Sequence, residues 1–208
     1  MSWPFIAVFF SGWLYVDAAY RGPNWQRWLF RPVTLLLLLL WAWQAPELHI
    51  SGYLICLGLL TALISDALRM LPSKYSLFSL STLLVCYLLY TISFVLQMNF
   101  SFFFPLPFIL LVLGAIILLV IWNKLEEMRW LVVASVVMLL IMVWMAGEQY
   151  FSLNTEYGFS LLAGSILLLL SHSFWLINHY RFQFKSSKAI VATCYFIGHF
   201  LIIRSIYL

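Results

Sequence analysis

The chain has 208 residues, of which 65% are hydrophobic and only 9% are charged, with a formal net charge of +4. A water-soluble globule of this length needs more polar surface, so the composition excludes one and predicts a protein covered by lipid. Nucleic-acid binding is not indicated, because the 11 Lys and Arg are spread over short connections between apolar runs. No polar stretch is long enough for a soluble domain, which predicts one membrane domain over residues 1–208.

The chain begins Met-Ser-Trp-Pro, without the basic segment of a cleavable signal peptide, so we expect the first apolar run to stay as a helix. Further runs of spanning length follow, separated by short polar or proline-containing breaks. The sequence therefore predicts an all-α, polytopic membrane helix bundle of about eight transmembrane helices. They are expected near Trp3–Ala19, Trp28–Ala45, Ile50–Met70, Tyr75–Leu96, Phe104–Trp122, Trp130–Ala146, Tyr157–Leu176 and Ala189–Tyr207.

Basic residues alternate between the predicted connections. The odd-numbered connections hold Arg21, Arg27 and Arg31, then Arg69 and Lys74, then Lys124 and Arg129, and finally Arg181, Lys185 and Lys188. The second, fourth and sixth connections hold none, and a missed or invented helix would break this pattern. Positive-inside bias makes the odd-numbered connections cytoplasmic and places both termini on the non-cytoplasmic side. Only Arg204, near the C-terminus, is left over.

A weak internal echo runs through the chain. The recurring pairs, 106 and 108 residues apart, are Ser65-Asp66 with Ser171-His172 and Cys86-Tyr87 with Cys194-Tyr195. Since the third and seventh helices run in the same direction, the echo fits two parallel four-helix halves, as in some transporters. Two dipeptide matches in an apolar chain also arise by chance, so the repeat stays an open hypothesis.

Ionisable side chains inside the apolar runs are the main functional candidates, because a charge in hydrocarbon costs a few kcal/mol. Asp66 is short, unable to snorkel far, and expected roughly 6 Å from the cytoplasmic end of its helix at about 1.5 Å per residue. His172 is expected at a similar depth, and with Asp17 and Arg31 these groups would share one layer. Asp17 and Arg31 lie near predicted helix ends, where snorkelling or an interfacial ion pair is the simpler interpretation. His199 is expected at mid-depth, where an interhelical hydrogen bond is the default.

Four segments spread from end to end resemble the YhhN family, bacterial relatives of eukaryotic lysoplasmalogenases. They are VDAAYRGPNWQRWLFRPVTLLLLLL, LLYTISF, MVWMAGE and CYFIGHFLIIRSIYL. The family's Lys-Pro-Leu start to helix two corresponds to 31–33, its Gly-Asp to 65–66, its Ala-His-x-x-Tyr to 86–90, a later Ser-Asp to 171–172 and its Tyr-x-x-Ala-Gln to 195–199. Asp66 and Tyr90 match the family residues. His172 replaces the second Asp, Tyr87 the His and His199 the Gln.

The resemblance implies an eight-helix bundle in the bacterial inner membrane that cleaves the vinyl-ether bond of a lysolipid, giving a fatty aldehyde and a glycerophospho-headgroup compound. No cofactor is implied, and the expected partners are the lysolipid substrate and the bilayer. Vinyl ethers hydrolyse by proton transfer to carbon, which requires a general acid. We expect Asp66 to supply the proton, with His172 as partner base or shuttle and Tyr90 in the catalytic set. Arg31 is expected to bind the lipid phosphate, with Asp17 and His199 contributing to substrate binding.

Three alternatives stay open. Membrane Asp and His residues with an internal repeat also suit a transporter or proton-coupled carrier. The substitutions at family positions also suit a catalytically silent lipid-binding protein. A zinc site built from Asp66, His172 and His199 ranks lowest, because His199 is expected to lie several turns deeper. The cysteines lie in apolar runs without paired or metal-ligand spacing, which argues against a disulfide framework or a zinc motif.

Overall fold

The computed structural model describes residues 3–20, 24–46, 48–98, 105–125, 128–182 and 186–208. These residues form eight α-helices and no β-strand, which confirms the predicted all-α bundle. The helices are α1 Trp3–Tyr20, α2 Asn24–Trp43, α3 Ile50–Arg69, α4 Ser76–Leu96, α5 Pro105–Ile121, α6 Arg129–Leu153, α7 Glu156–Tyr180 and α8 Ser187–Arg204. Single 3-10 turns occupy Ser73–Tyr75, Trp122–Lys124 and Ser205–Tyr207. The predicted start of helix five at Phe104 lies outside the described residues.

Within the described part of the chain, six helical segments built on α3 to α8 are long and apolar enough to cross a bilayer. The first two helices carry shorter apolar stretches, Ile6–Ala18 and Leu29–Trp43. They nevertheless belong to the bundle, because α1 packs against α2 and α8, and α2 packs against α3. Large apolar side chains such as Phe9, Leu40 and Leu119 point outward, as expected where lipid covers the surface.

The helix pairs α3/α4 and α7/α8 make the most extensive contacts in the bundle. In the first pair, the Ser65 hydroxyl donates to the carbonyl oxygen of Ser79 at 2.7 Å. In the second, the Ser171 hydroxyl donates to the carbonyl oxygen of Val191 at 2.8 Å. Each serine belongs to one of the recurring dipeptides, and each bonds to the helix that follows it. This shared arrangement supports the internal-repeat hypothesis.

Helix ends meet at two faces of the bundle. At one face, a cavity of about 510 Å³ is lined by Arg69, Lys124 and His179, which belong to the third, fifth and seventh connections or adjoin them. At the opposite face, a cavity of about 490 Å³ is lined by residues that include Gln97 and Leu208. Arg69 and Lys124, from the third and fifth connections, therefore meet at one face, in agreement with the predicted alternation. Two counted residues, Arg21 and Lys185, lie outside the described residues, and the orientation in the membrane stays a prediction.

Two predicted helix ends were wrong. Helix α6 was expected to end at Ala146 but continues to Leu153, and α7 was expected to end at Leu176 but continues to Tyr180. The Gly-Glu-Gln sequence at 147–149 looked like a connection, yet it is helical and buried. Two of its side chains are hydrogen-bonded inside the bundle: Trp144 Nε1 donates to Glu148 Oε1 at 2.8 Å, and Gln149 Nε2 donates to the backbone carbonyl of Gln97 at 3.2 Å.

Candidate functional site

A buried ion pair between α2 and α3 forms the centre of the site. Arg31 Nη2 lies 2.7 Å from Asp66 Oδ1, and the two side chains are 17% and 1% exposed. Because α2 begins at Asn24 rather than Trp28, Arg31 lies about two turns inside the helix, and Pro32 is an interior residue. The prediction that Arg31 lies near the start of helix two was therefore wrong. The interfacial interpretation of Arg31 gives way to a buried pair, which is rare in a membrane helix without a functional reason.

Aromatic rings from α1 and α8 enclose the guanidinium of Arg31. Its central carbon lies 5.4 Å from the ring centre of Tyr195 and 5.9 Å from that of Tyr15. The Tyr195 ring meets the His199 ring edge-on, with 4.5 Å between the ring centres. These rings contribute cation–π attraction and keep lipid away from the charge. Four helices, α1, α2, α3 and α8, thus contribute to one polar cluster.

Several buried atoms of this cluster have hydrogen-bonding capacity that no described residue uses. They are Arg31 Nε, Asp66 Oδ2, the Tyr195 hydroxyl and His199 Nε2. Buried polar groups in proteins are nearly always paired, and the exceptions call for an explanation. Several such atoms from α2, α3 and α8 around one ion pair indicate a site that can hydrogen-bond a polar ligand. This set of atoms is called the ion-pair cluster below.

The predicted site residues Tyr90 and His199 contact each other directly. The Tyr90 hydroxyl lies 2.9 Å from His199 Nδ1, and both residues are fully buried. The bond joins α4 to α8, which confirms the interhelical hydrogen bond expected for His199. Because Nδ1 is engaged by Tyr90, Nε2 is the imidazole nitrogen that belongs to the ion-pair cluster.

His172 lies in a separate environment. Its Nε2 is 3.1 Å from the Ser135 hydroxyl, and its ring meets the edge of Tyr87 at 5.8 Å between ring centres. Among the described contacts, none joins His172 to Asp66. The predicted similar depth stays a prediction: Arg69 and Trp175, which follow Asp66 and His172 by three residues each, are in contact, but Asp66 and His172 have different partners.

Arg69 was missed as a candidate because it was counted only as a topology charge. It lies three residues after Asp66, and its guanidinium carbon is 4.4 Å from the ring centre of Trp175. Residues three apart share a helix face, so the spacing from Asp66 was the available signal. Tyr195 was named only through the family pattern, and its place over Arg31 depends on packing between distant helices.

Asp17 does not join the ion-pair cluster. It is exposed on α1 and takes part in none of the ion pairs found among the described residues. The leftover cation Arg204 instead pairs with Glu156 at 3.4 Å. No group of three metal-ligating side chains occurs among the described residues, so Asp66, His172 and His199 do not form a common metal site there.

Comparison with known proteins gives the family. The sequence model of the YhhN family matches residues 26–206. The chain belongs to the YhhN family. Relatives in Escherichia coli O6:H1, Escherichia coli O157:H7 and Shigella flexneri are each 52% identical to it over 208 residues, which is 100% of both chains. Each is described as "Uncharacterized membrane protein YhhN", and no solved structure matches the chain. With its helical segments of spanning length, this YhhN-family chain is a polytopic membrane protein.

Proposed function

We propose that this YhhN-family protein is a hydrolase of the bacterial inner membrane. It cleaves the vinyl-ether bond of lysoplasmalogen-type lysolipids to a fatty aldehyde and a glycerophospho-headgroup compound. The substrate class comes from the family resemblance. The observation that carries the proposal is the buried Arg31–Asp66 pair within a cluster of polar atoms that have unused hydrogen-bonding capacity.

The ion pair is better explained by function than by stability. Removing two charges from a polar environment is costly, and a buried pair often contributes no more to folding than apolar residues of the same volume. Ionisable residues within membrane helices usually mark a pathway or a site. A lysolipid presents a phosphate anion and a reactive ether close together, which matches a guanidinium beside a carboxylate.

The pairing changes the expected role of Asp66 in the free protein. A carboxylate bound to an arginine has no proton to donate, so Asp66 is not a general acid until Arg31 releases it. A lipid phosphate binds guanidinium through strong charge-assisted bonds and therefore competes with Asp66 for Arg31. The released carboxylate takes up from water the proton that it later donates. Substrate binding would thus prepare the acid.

The reaction then needs one proton and one water molecule. Asp66 transfers its proton to the vinyl carbon that is not bonded to the ether oxygen, and the new carboxylate stabilises the oxocarbenium ion that forms at the other vinyl carbon. Water adds to this ion and returns a proton to Asp66, giving a hemiacetal. The hemiacetal collapses to the aldehyde and the glycerol hydroxyl group. Tyr90 positions His199, whose Nε2 can orient the water, while His172 is assigned no step because it contacts Ser135 and Tyr87 instead.

One assay tests the activity. Purified protein in lipid nanodiscs is incubated with 1-alkenyl, 1-acyl and 1-alkyl lysolipids that share a headgroup, and aldehyde and fatty acid are measured separately. We expect aldehyde from the alkenyl lipid alone. Fatty acid from the acyl lipid would replace the proposal with an esterase, and binding without any product would identify a silent lipid-binding protein.

A carrier is the second candidate, favoured by the matching serine contacts in the α3/α4 and α7/α8 pairs. Many carriers hold substrate at helices that are interrupted within the membrane. Here α3, α4, α7 and α8 are each assigned as one continuous helix, which favours the hydrolase. Counterflow of a lysolipid in proteoliposomes, without product formation, would reverse this order.

A further inference from the structure

A cavity of about 330 Å³ lies beside the ion pair, near the ends of α7 and α8 where the basic connections meet. Its lining includes Arg31, Asn178, Ser187 and Lys188. The Lys188 side chain is exposed, whereas that of Arg31 is mostly buried and bonded to Asp66. Lys188 therefore lies at the mouth of the cavity and Arg31 at its inner end.

The chemistry of this lining suits a phosphate group. It offers two cations together with an amide and a hydroxyl group, and no carboxylate is among its described lining residues. Ammonium and guanidinium groups bind phosphate oxygens through charge-assisted hydrogen bonds. A neutral polar ligand would gain little from the two positive charges.

The adjacent basic cavity of about 510 Å³ is a less suitable phosphate site. Trp175 and His179 line both cavities, and their rings stack with 5.3 Å between centres and form the shared wall. On the side of the 510 Å³ cavity, the Arg69 guanidinium lies over the Trp175 ring and is engaged in this contact. The rest of that lining combines Lys124, Ser76 and Tyr180 with four apolar residues, and the arginine that pairs with Asp66 lines the smaller cavity instead.

We propose that the 330 Å³ cavity is the headgroup site, in which Lys188 captures the phosphate of a single-chain phospholipid and Arg31 holds its inner side. The identity of the lipid rests on the proposed function, but the site itself does not require turnover. Lys188 then sets the preference for phosphate-bearing lipids over neutral ones.

Equilibrium binding in nanodiscs of zwitterionic lipid tests the site. The probes are a saturated 1-alkyl lysophosphatidylethanolamine, which has no vinyl ether, and the 1-alkylglycerol with the same chain. Lys188→Gln should raise the Kd for the phospholipid probe about fivefold, the contribution of one partly exposed charge pair. The Kd for the alkylglycerol should not change. Lys74→Gln is the matched control, because Lys74 is exposed and is not among the residues that line the cavity.

The competing outcomes are distinct. A loss of affinity in Lys124→Gln but not in Lys188→Gln would place the phosphate in the adjacent cavity and overturn the proposal. Equal losses in Lys188→Gln and Lys74→Gln would show general surface attraction and overturn it as well. Equal Kd values of the wild-type protein for the two probes would also overturn the proposal. If the expected binding pattern is found but no aldehyde is released from the alkenyl lipid, the proposed hydrolase activity is wrong and the proposed headgroup site is retained.

Discussion

At the residue scale, Arg31 and Asp66 are expected to behave as a unit. Asp66→Asn leaves the Arg31 charge buried without its partner, so we expect a loss of about 3–5 kcal/mol in stability. The double variant Arg31→Gln/Asp66→Asn removes both charges and should recover most of that loss. Thermal unfolding in detergent measures the stability of both variants and of wild type.

Activity of the same variants separates structure from chemistry. Both should be about a hundredfold or more less active than wild type, the usual share of general acid catalysis. A double variant that is stable and fully active would show that the pair is structural. Arg31→Gln alone is expected to alter turnover as well as the Michaelis constant, because it also leaves Asp66 without its partner.

Tyr90→Phe tests the positioning of His199. It removes the hydroxyl that lies 2.9 Å from His199 Nδ1, at a cost of about 0.6 kcal/mol, the typical value for such a bond within a membrane. If Tyr90 positions the imidazole, turnover should fall about tenfold while the Michaelis constant is unchanged. Steady-state kinetics on folded protein provide both values. Unchanged turnover would leave Tyr90 as a packing residue.

The sequence identified some of these residues and missed others for definite reasons. Asp66 stood out because a carboxylate in an apolar run is costly wherever the helix packs. The role expected for Arg31 depended on where α2 begins. The sequence predicted a start at Trp28, whereas the helix begins four residues earlier, at Asn24. Tyr195 looked like one aromatic residue among many, and only the packing of α8 brings it over Arg31.

At the element scale, two glycines determine how closely α7 and α8 approach. A Cβ atom on Gly164 would lie 2.9 Å from the Gly198 carbonyl oxygen, so Gly164→Ala must push the helices apart. We expect a destabilisation of about 1–3 kcal/mol, the usual cost of overpacking. Activity should also fall, because α8 carries Tyr195 and His199.

Gly12→Ala is the matched control for that substitution. Its Cβ atom would have no neighbour closer than 3.9 Å, and alanine has a higher helix propensity than glycine. We expect this variant to be as stable as wild type or slightly more stable in the same thermal unfolding experiment. Equal destabilisation by both substitutions would show that the α7/α8 contact has no special sensitivity.

The ends of the helices were less predictable than their number. Strongly apolar cores of spanning length indicated each helix, whereas the polar sequence at 147–149 suggested a connection that is not there. Glu148 and Gln149 are each 1% exposed, and their partners are Trp144 in the same helix and Gln97, which caps α4. The true turn consists of Asn154, in the left-handed region at φ 47°, and Thr155, which caps α7.

At the scale of the whole molecule, the two faces differ in charge. The cavities near the ion pair are lined by Arg31, Arg69, Lys124 and Lys188, whereas the opposite face carries Arg204 in a pair with Glu156. This asymmetry matches the alternation of basic connections along the sequence. Since positive connections remain in the cytoplasm, the proposed headgroup site would open to the cytoplasmic leaflet.

Reporter fusions test this orientation. A fusion after Lys74, in the third connection, should report the cytoplasm, and a fusion after Leu208 should report the periplasm. Alkaline phosphatase, active only in the periplasm, and a fluorescent protein that folds in the cytoplasm give opposite readings at each position. If both positions report the cytoplasm, an even number of spans lies between them instead of five, so one of α4 to α8 either does not cross or is miscounted. If the two readings are exchanged, the bundle is inverted and its basic face receives lysolipid from the periplasmic leaflet instead.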